Sequence, residues 1–320
     1  DRLSGGGVDG GQGRTVSRRP LAIDIETAAH AFTFTRSPSR IRKTSAASRD
    51  STAASPSTST GTLPVLLGNR ALNAGNNSAA ACDASGQSVP LSFDATGVAT
   101  VSLQYADVGQ LTLNAAYISG AAPDGLAMTG SDTFIAAPAS LTWSGITAPP
   151  IRAGAAFAAT VTARNASGAA TPNFGRELSP ESVRLSWTRF LPTGPGATSG
   201  TFVGTGVLPA APLAGFSGGS ASAGDLSWSE VGTGDLTASL TSGNYLGSGL
   251  TAAGSTGSAG AVGRFIPHHF DTVVSSQACG SFTYSGQPFT LDVLARNAAG
   301  GTTANYDGTS NTAPNHAKSV

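Results

Sequence analysis

One phrase occurs twice in this chain. "VTARNASGAATPNFG" begins at Val161 and "VLARNAAGGTTANYDG" begins at Val293. Aligning Gly154 with Gly286 sets an offset of 132 residues, and no gap is needed. Phe157 then falls on Phe289, Val161 on Val293, and Ala163-Arg164-Asn165 on Ala295-Arg296-Asn297. Gly168 meets Gly300, Thr171 meets Thr303, Asn173 meets Asn305, and Phe174 meets Tyr306. Phe, Arg and Asn are not the abundant residues of this chain, so the shared register is not a by-product of its Gly- and Ala-rich background. Self-similarity at a fixed period constrains the architecture more than any local propensity does: the chain is built of repeated units.

A second pair of phrases completes the unit. "FDATGVATVSLQYADVGQLTL" starts at Phe93 and "FSGGSASAGDLSWSEVGTGDLTASL" at Phe216, an offset of 123 residues. Leu103 meets Leu226, Tyr105 meets Trp228, Asp107 meets Glu230, and Val108-Gly109 meets Val231-Gly232. After a two-residue insertion, Leu111-Thr112 meets Leu236-Thr237, and Tyr117 meets Tyr245. A third match sets "FIAAPASL" at Phe134 against "FIPHHFDTV" at Phe265, with "RRPLAIDI" at Arg18 as a weaker version. The expected organisation is therefore a low-complexity N-terminal segment over 1–80, the C-terminal half of a first unit over 81–133, a complete unit over 134–264, and the N-terminal half of a further unit over 265–320.

Each unit reads as β-structure. In "AFAATVTAR", Phe157, Ala159, Val161 and Ala163 fall on one face, and in "PFTLDVLAR" Phe289, Leu291, Val293 and Ala295 do the same. Alternation with period two marks a half-buried strand. "ATVSLQY", "QLTLNAAYI", "VRLSW" and "DLTASL" follow the same pattern, between Gly, Pro, Asn and Ser clusters that supply turns. No window keeps a helical period. Seven or eight short strands per unit predict an all-β chain of tandem immunoglobulin-like β-sandwich repeats. The repeated phrase is then a strand ending at Arg164, with a turn in which Asn165 and Gly168 provide positive φ, and with Thr171 and Phe174 opening the next strand. The "[DE]-V-G" phrase is a second turn, placing Tyr105 or Trp228 inward before it and Leu111 or Leu236 inward after it.

Chemistry is sparse. Only 11% of residues are charged, with 18 Lys+Arg against 18 Asp+Glu, where an average globular chain has roughly 25%. Residues 1–50 hold 9 basic and 5 acidic residues. Their basic stretch "TRSPSRIRKTSAASR" at Thr35 lacks interleaved aromatics and a folded basic face, so it reads as a disordered tail and not as a nucleic-acid site. Cys82 and Cys279 stand 197 residues apart, which fits an isolated buried thiol better than a disulfide framework or a zinc pattern. No apolar run reaches the roughly 18 residues of a membrane-spanning helix. The chain begins at Asp1 with neither Met nor signal peptide, so it is expected to start inside a longer protein.

No catalytic, cofactor-binding or metal-binding residue is assigned, and no cofactor is called for. His268 and His269, adjacent in an extended segment, are expected to point to opposite sides. "NYDGTSN" at Asn305 has oxygen ligands without calcium-loop spacing. Asp107 and Glu230 occupy matching places in different units, so they are turn residues rather than an acid/base pair. No G-x-S-x-G elbow occurs. "NNS" at Asn76 and "NAS" at Asn165 are glycosylation sequons that matter only in a glycosylating host.

Taken together, "GRFIPHHFDTVV", "FTYSGQPFTLDVLARNAAGGTTANYDG" and "LSWSEVGTGDLTASLTSGNYLG" resemble the repeated region of MshQ-type proteins, over roughly residues 85–310. These proteins are associated with the mannose-sensitive haemagglutinin (MSHA) type IV pilus of Gram-negative bacteria. The resemblance implies an exported protein of tandem β-rich domains without enzymatic activity, at the extracellular or outer-membrane surface. Its partners would be pilus or cell-envelope proteins and surface glycans, with no nucleic acid and no membrane-spanning segment in this chain. Residues 30–80 depart from the pattern, and the last unit breaks off in its middle, as a fragment or a frame shift would leave it. The function expected is thus a structural or interaction protein, a spacer or adhesin. The alternative is a carbohydrate-binding module, which needs a row of exposed aromatics; the burial of Trp143, Trp187 and Trp228 separates the two. A half sandwich would also leave an uncovered apolar face, with poor order expected after about Tyr306 and in much of 1–80.

Overall fold

The computed structural model describes residues 22–26, 31–35, 68–71, 98–102, 104–118, 127–194, 196–275, 277 and 279–307. Among these residues the chain is all β; the single helical piece is a 3₁₀ turn at Tyr245–Gly247. The first strands are β1 (Ala22–Glu26), β2 (Ala31–Thr35), β3 (Gly68–Ala71), β4 (Val98–Ser102), β5 (Gly109–Ile118) and β6 (Ala127–Ala136). β1, β2 and β4 form one antiparallel sheet in that order, with Ile23 opposite Phe34 and Phe32 opposite Val101. β3, β5 and β6 form another. The N-terminal stretch read as low-complexity therefore holds β1, β2 and β3 among its described residues.

The complete sandwich is built from β7 (Ser140–Ser144), β8 (Ile151–Arg152), β9 (Phe157–Arg164), β10 (Val183–Leu191), β11 (Phe202–Val203), β12 (Ser220–Trp228), β13 (Gly232–Leu240), β14 (Ala253–Ser255) and β15 (Val262–Ile266). One sheet runs β10-β13-β15-β8, with β14 also paired to β13. The other runs β11-β12-β9-β7. Period-two patterning places the core between them: Phe157, Ala159, Val161 and Ala163 of β9 are all buried, and they face Leu185, Leu236 and Ala238 of the opposite sheet. Trp228, Trp187 and Phe265 meet at ring-centroid distances of 5.0 to 5.7 Å. Phe174 packs edge-on against Phe216 at 4.7 Å. Such contacts add about 0.5–1.5 kcal/mol per pair to the area term. They matter here because a core rich in alanine supplies little buried area per residue.

The final hairpin is β16 (His269–Ser275) with β17 (Thr290–Arg296). It is the β7–β9 pair of the sandwich built again. Ser140 stands opposite Arg164 in the sandwich, and His269 stands opposite Arg296 here. Its polar face carries the Arg296–Asp271 ion pair at 3.0 Å and the Ser275–Asp292 hydrogen bond. Its other face carries Phe270, Val274, Phe289, Leu291 and Val293, all between 47% and 58% exposed. Phe289 precedes β17 as Phe157 opens β9, yet Phe157 is 2% exposed and Phe289 is 55% exposed. Among the described residues no second sheet covers the hairpin.

Four local expectations need correction. Asn165 does not take positive φ; among the described residues only Leu246 does so outside glycine. Gly168 and Gly300 alone carry the left-handed step, at 84° and 79°. Thr171 and Phe174 do not open a strand, because β10 begins only at Val183. Thr171 N–H and Oγ1–H both donate back to Ala163 O, and Phe174 N–H donates to Thr171 O, so the main chain curls into a turn instead of extending. The histidine rings do not part: His268 Nδ1 and His269 Nδ1 lie 3.0 Å apart. His268 sits one residue outside β16, free of the alternation that a strand imposes. Cys279 is free and half-buried rather than buried. Cys82 and the residues after Asp307 lie outside the described residues.

Candidate functional site: the turns beneath the repeated corners

Because the repeated residues form turns, the site to build is the pair of corners they make. In the first corner Asn165 N–H donates to Ala169 O at 2.9 Å and Gly168 N–H to Asn165 O at 2.9 Å. Asn165 Oδ1 accepts from the N–H groups of Ser167 and Ala169. In the second corner Asn297 N–H donates to Gly301 O at 2.8 Å and Gly300 N–H to Asn297 O at 3.0 Å. Asn297 Oδ1 accepts from Ala299 and Gly301. Thr303 repeats both bonds of Thr171, now to Ala295 O. The side chain of Asn, not its backbone freedom, is what the phrase preserves: its amide closes an Asx turn over the glycine.

Each corner sits on an acid. Asp107 Oδ1 accepts from Asn173 N–H at 3.1 Å and from Val108 N–H at 2.8 Å. Glu230 accepts from Ala304 N–H and Asn305 N–H, each at 3.0 Å. The corner asparagine reaches the same turn in both cases: Asn165 Nδ2–H donates to Ala106 O at 2.7 Å and Asn297 Nδ2–H to Ser229 O at 3.1 Å. The "[DE]-V-G" turns thus hold more than their own backbone. Their acids hydrogen-bond to a T-x-N turn 66 and 75 residues downstream. Sequence reasoning placed both acids at turns and missed this distant partner.

The two seats are not identical. Glu230, one methylene longer than Asp107, takes two amides of its T-x-N turn where Asp107 takes one. Asn305 is 2% exposed; its amide accepts from Thr198 N–H at 2.8 Å and donates to Thr198 O at 2.9 Å. Asn173 is 1% exposed, and among the described residues neither its Oδ1 nor its Nδ2 has a partner.

Burial pushes the carboxyls of both Asp107 and Glu230 up from their ordinary range. The amide hydrogen bonds oppose the shift, as does the Arg176 charge near Asp107. A carboxyl with a raised folded-state pKa binds its proton more tightly folded than unfolded. Its contribution to stability therefore grows as pH falls through the folded value and is lost as pH rises above it. Asp225 has the opposite sign, since its hydrogen bonds from Thr205 lower its pKa. Comparing the wild type with Glu230→Gln cancels Asp225. In thermal unfolding followed by circular dichroism, the wild type should gain stability relative to that variant between neutral and mildly acidic pH. A wild type that loses ground on acidification would refute the assignment.

Among the described residues no group of three or more His, Cys, Asp and Glu is placed to hold a metal. Trp228 is fully buried, and Trp143 and Trp187 pack against the core, so the tryptophans make no exposed row. A cleft of about 360 Å³ is lined by Trp187, Phe202 and Leu208 with Arg184, Ser186 and Ser239. Among the described residues no helix is long and apolar enough to cross a membrane.

Two stretches of the chain match known family models. Residues 41–131 match the domain of unknown function DUF6701, first Ig-like domain. Residues 230–319 match DUF6701, third domain, so this matched region opens on Glu230 itself. The first match includes half of the stretch read as low-complexity. No curated protein matches the chain. Two stretches of this all-β chain are therefore similar to DUF6701 domains, the first Ig-like and the third.

Proposed function

We propose that this chain is a section of a non-enzymatic bacterial surface protein, a tandem array of Ig-like repeats that serves MSHA-type pilus biogenesis as a spacer or adhesin. The observation that carries the reading is the use made of the repeated residues. Asn165, Gly168, Thr171, Asp107 and their counterparts are engaged in turns and in the bonds that seat one repeated phrase on another. A repeat that preserves seating residues and no reactive constellation is suited to setting distance and presenting loops. The DUF6701 matches support the Ig-like repeat character, and the MshQ resemblance supports the pilus context. Partners on this reading are pilus or cell-envelope proteins, with surface glycans as loop ligands.

The test is cellular. Protease added to intact cells should cleave the protein, and deleting its gene should reduce the number of MSHA pili seen by electron microscopy. Full protection from protease, or unchanged pilus number in the deletion strain, would refute the proposal.

A further inference from the structure

The β16–β17 hairpin has its apolar face half exposed, so its own core contributes little. An isolated two-stranded hairpin is marginal in water. Its order must come from elsewhere, and the bonds identify the source. Ala298 N–H donates to Ala153 O at 2.9 Å, and Arg152 donates to His268 O at 2.6 Å. Asn297 bonds Ser229 O, Asn305 bonds both main-chain groups of Thr198, and Glu230 takes the amides of Ala304 and Asn305. Gly154 N–H meanwhile donates to Trp228 O, tying two of these seat segments together. The partners come from three separate parts of the complete sandwich, at 152–153, at 198 and at 229–230, and all lie at the end where β12 turns into β13.

From this we infer that this end of the sandwich, centred on Glu230, is a docking seat on which the corner of the following repeat folds, so that consecutive repeats are joined without a hinge. The partner it fits is defined by chemistry: a T-x-N turn offering two adjacent backbone N–H groups to a buried carboxylate, beside an R-N-A-x-G turn whose Asn donates to the backbone. The second instance is independent. Asp107 offers the same carboxylate to Asn173, and Asn165 donates to Ala106 O. Chance packing would not place the same donor residues of two repeats on the same acceptors of two turns. The order of strength follows from the geometry. Glu230 holds two amides of its T-x-N turn and Asn305 is partnered by Thr198, whereas Asp107 holds one amide of its T-x-N turn and, among the described residues, the side-chain amide of Asn173 has no partner. The Glu230 seat is therefore the tighter of the two.

This inference rests on the reading of the chain as a stacked array, and its test is independent of where the protein resides or which pilus it serves. The test is amide hydrogen exchange on the full chain. Glu230→Ala should speed exchange at β17, Thr303 and Asn305 about tenfold or more, while β9 and β12 keep their protection. Glu230→Gln, which keeps the shape and one acceptor, should produce the same pattern to a smaller degree and guards against misfolding of the alanine variant. Asp225→Ala removes a carboxylate within the sandwich and should leave the hairpin unchanged. Unaltered hairpin exchange in both Glu230 variants would overturn the inference. Equal loss of protection in hairpin and sandwich would also overturn it, because Glu230 would then be a stability residue of its own domain.

Discussion

Replacing Phe157 with alanine is expected to cost about 3–5 kcal/mol, and replacing Phe289 under about 1 kcal/mol, although the two occupy the same place in the repeated phrase. Phe157 is 2% exposed and packs against Phe265 at 5.5 Å and Phe202 at 6.3 Å. Truncating it removes the transfer energy of a whole ring and leaves a cavity between two sheets that cannot collapse. Phe289 directly precedes the equivalent strand, with no sheet opposite among the described residues, and is 55% exposed. Urea denaturation of the two variants measures the difference directly. Equal losses would mean that the hairpin face is covered as the sandwich face is, and the account of the last unit would be wrong.

The next largest effect should come from Gly232→Ala, at about 2–6 kcal/mol. Gly232 has φ of 132° and Gly109, its counterpart, has 136°, a region that side-chain-bearing residues scarcely enter. Strain of this kind costs about 1–3 kcal/mol. A Cβ on Gly232 would also lie 2.0 Å from Leu191 O, a main-chain atom that cannot rotate away. Relieving such overlap costs about 1–3 kcal/mol more. Gly168→Ala is the control: φ is 84° but nothing lies within 4 Å of the added methyl. Only the left-handed penalty of about 1–2 kcal/mol applies there. Thermal unfolding of both variants should rank Gly232→Ala clearly below Gly168→Ala. The reverse order would remove the physical reason for the glycine in the "[DE]-V-G" phrase.

What the sequence revealed and what it concealed follow from the range of the forces involved. Alternation made Phe157, Val161 and Ala163 legible as one face, because a strand has period two wherever it lies. The repeat made Trp228, Leu236 and Leu111 legible as inward residues, and all three are buried. The glycines of both turns were legible as backbone positions. The destination of a hydrogen bond was not. Glu230 reads locally as a turn acid, and nothing within several residues of it shows that it holds amides 74 and 75 residues away. One signal was present: an acid survives at both turns in a chain with only 11% charged residues. Thr171 likewise reads as the opening of the next strand. Its hydroxyl instead bonds back across the corner, and that local bond outweighs its strand propensity. Asn165 looked like a left-handed residue and acts through its amide.

The central claim is that the twin phrases are one structure built twice and seated the same way. Amide hydrogen exchange across both phrases in the intact wild-type chain, resolved residue by residue, tests it most directly. The account predicts slow exchange at Asn165, Ala169, Thr171 and Asn173, and slow exchange in the same positions at Asn297, Gly301, Thr303 and Asn305. Protection along one series with rapid exchange along the other would contradict it.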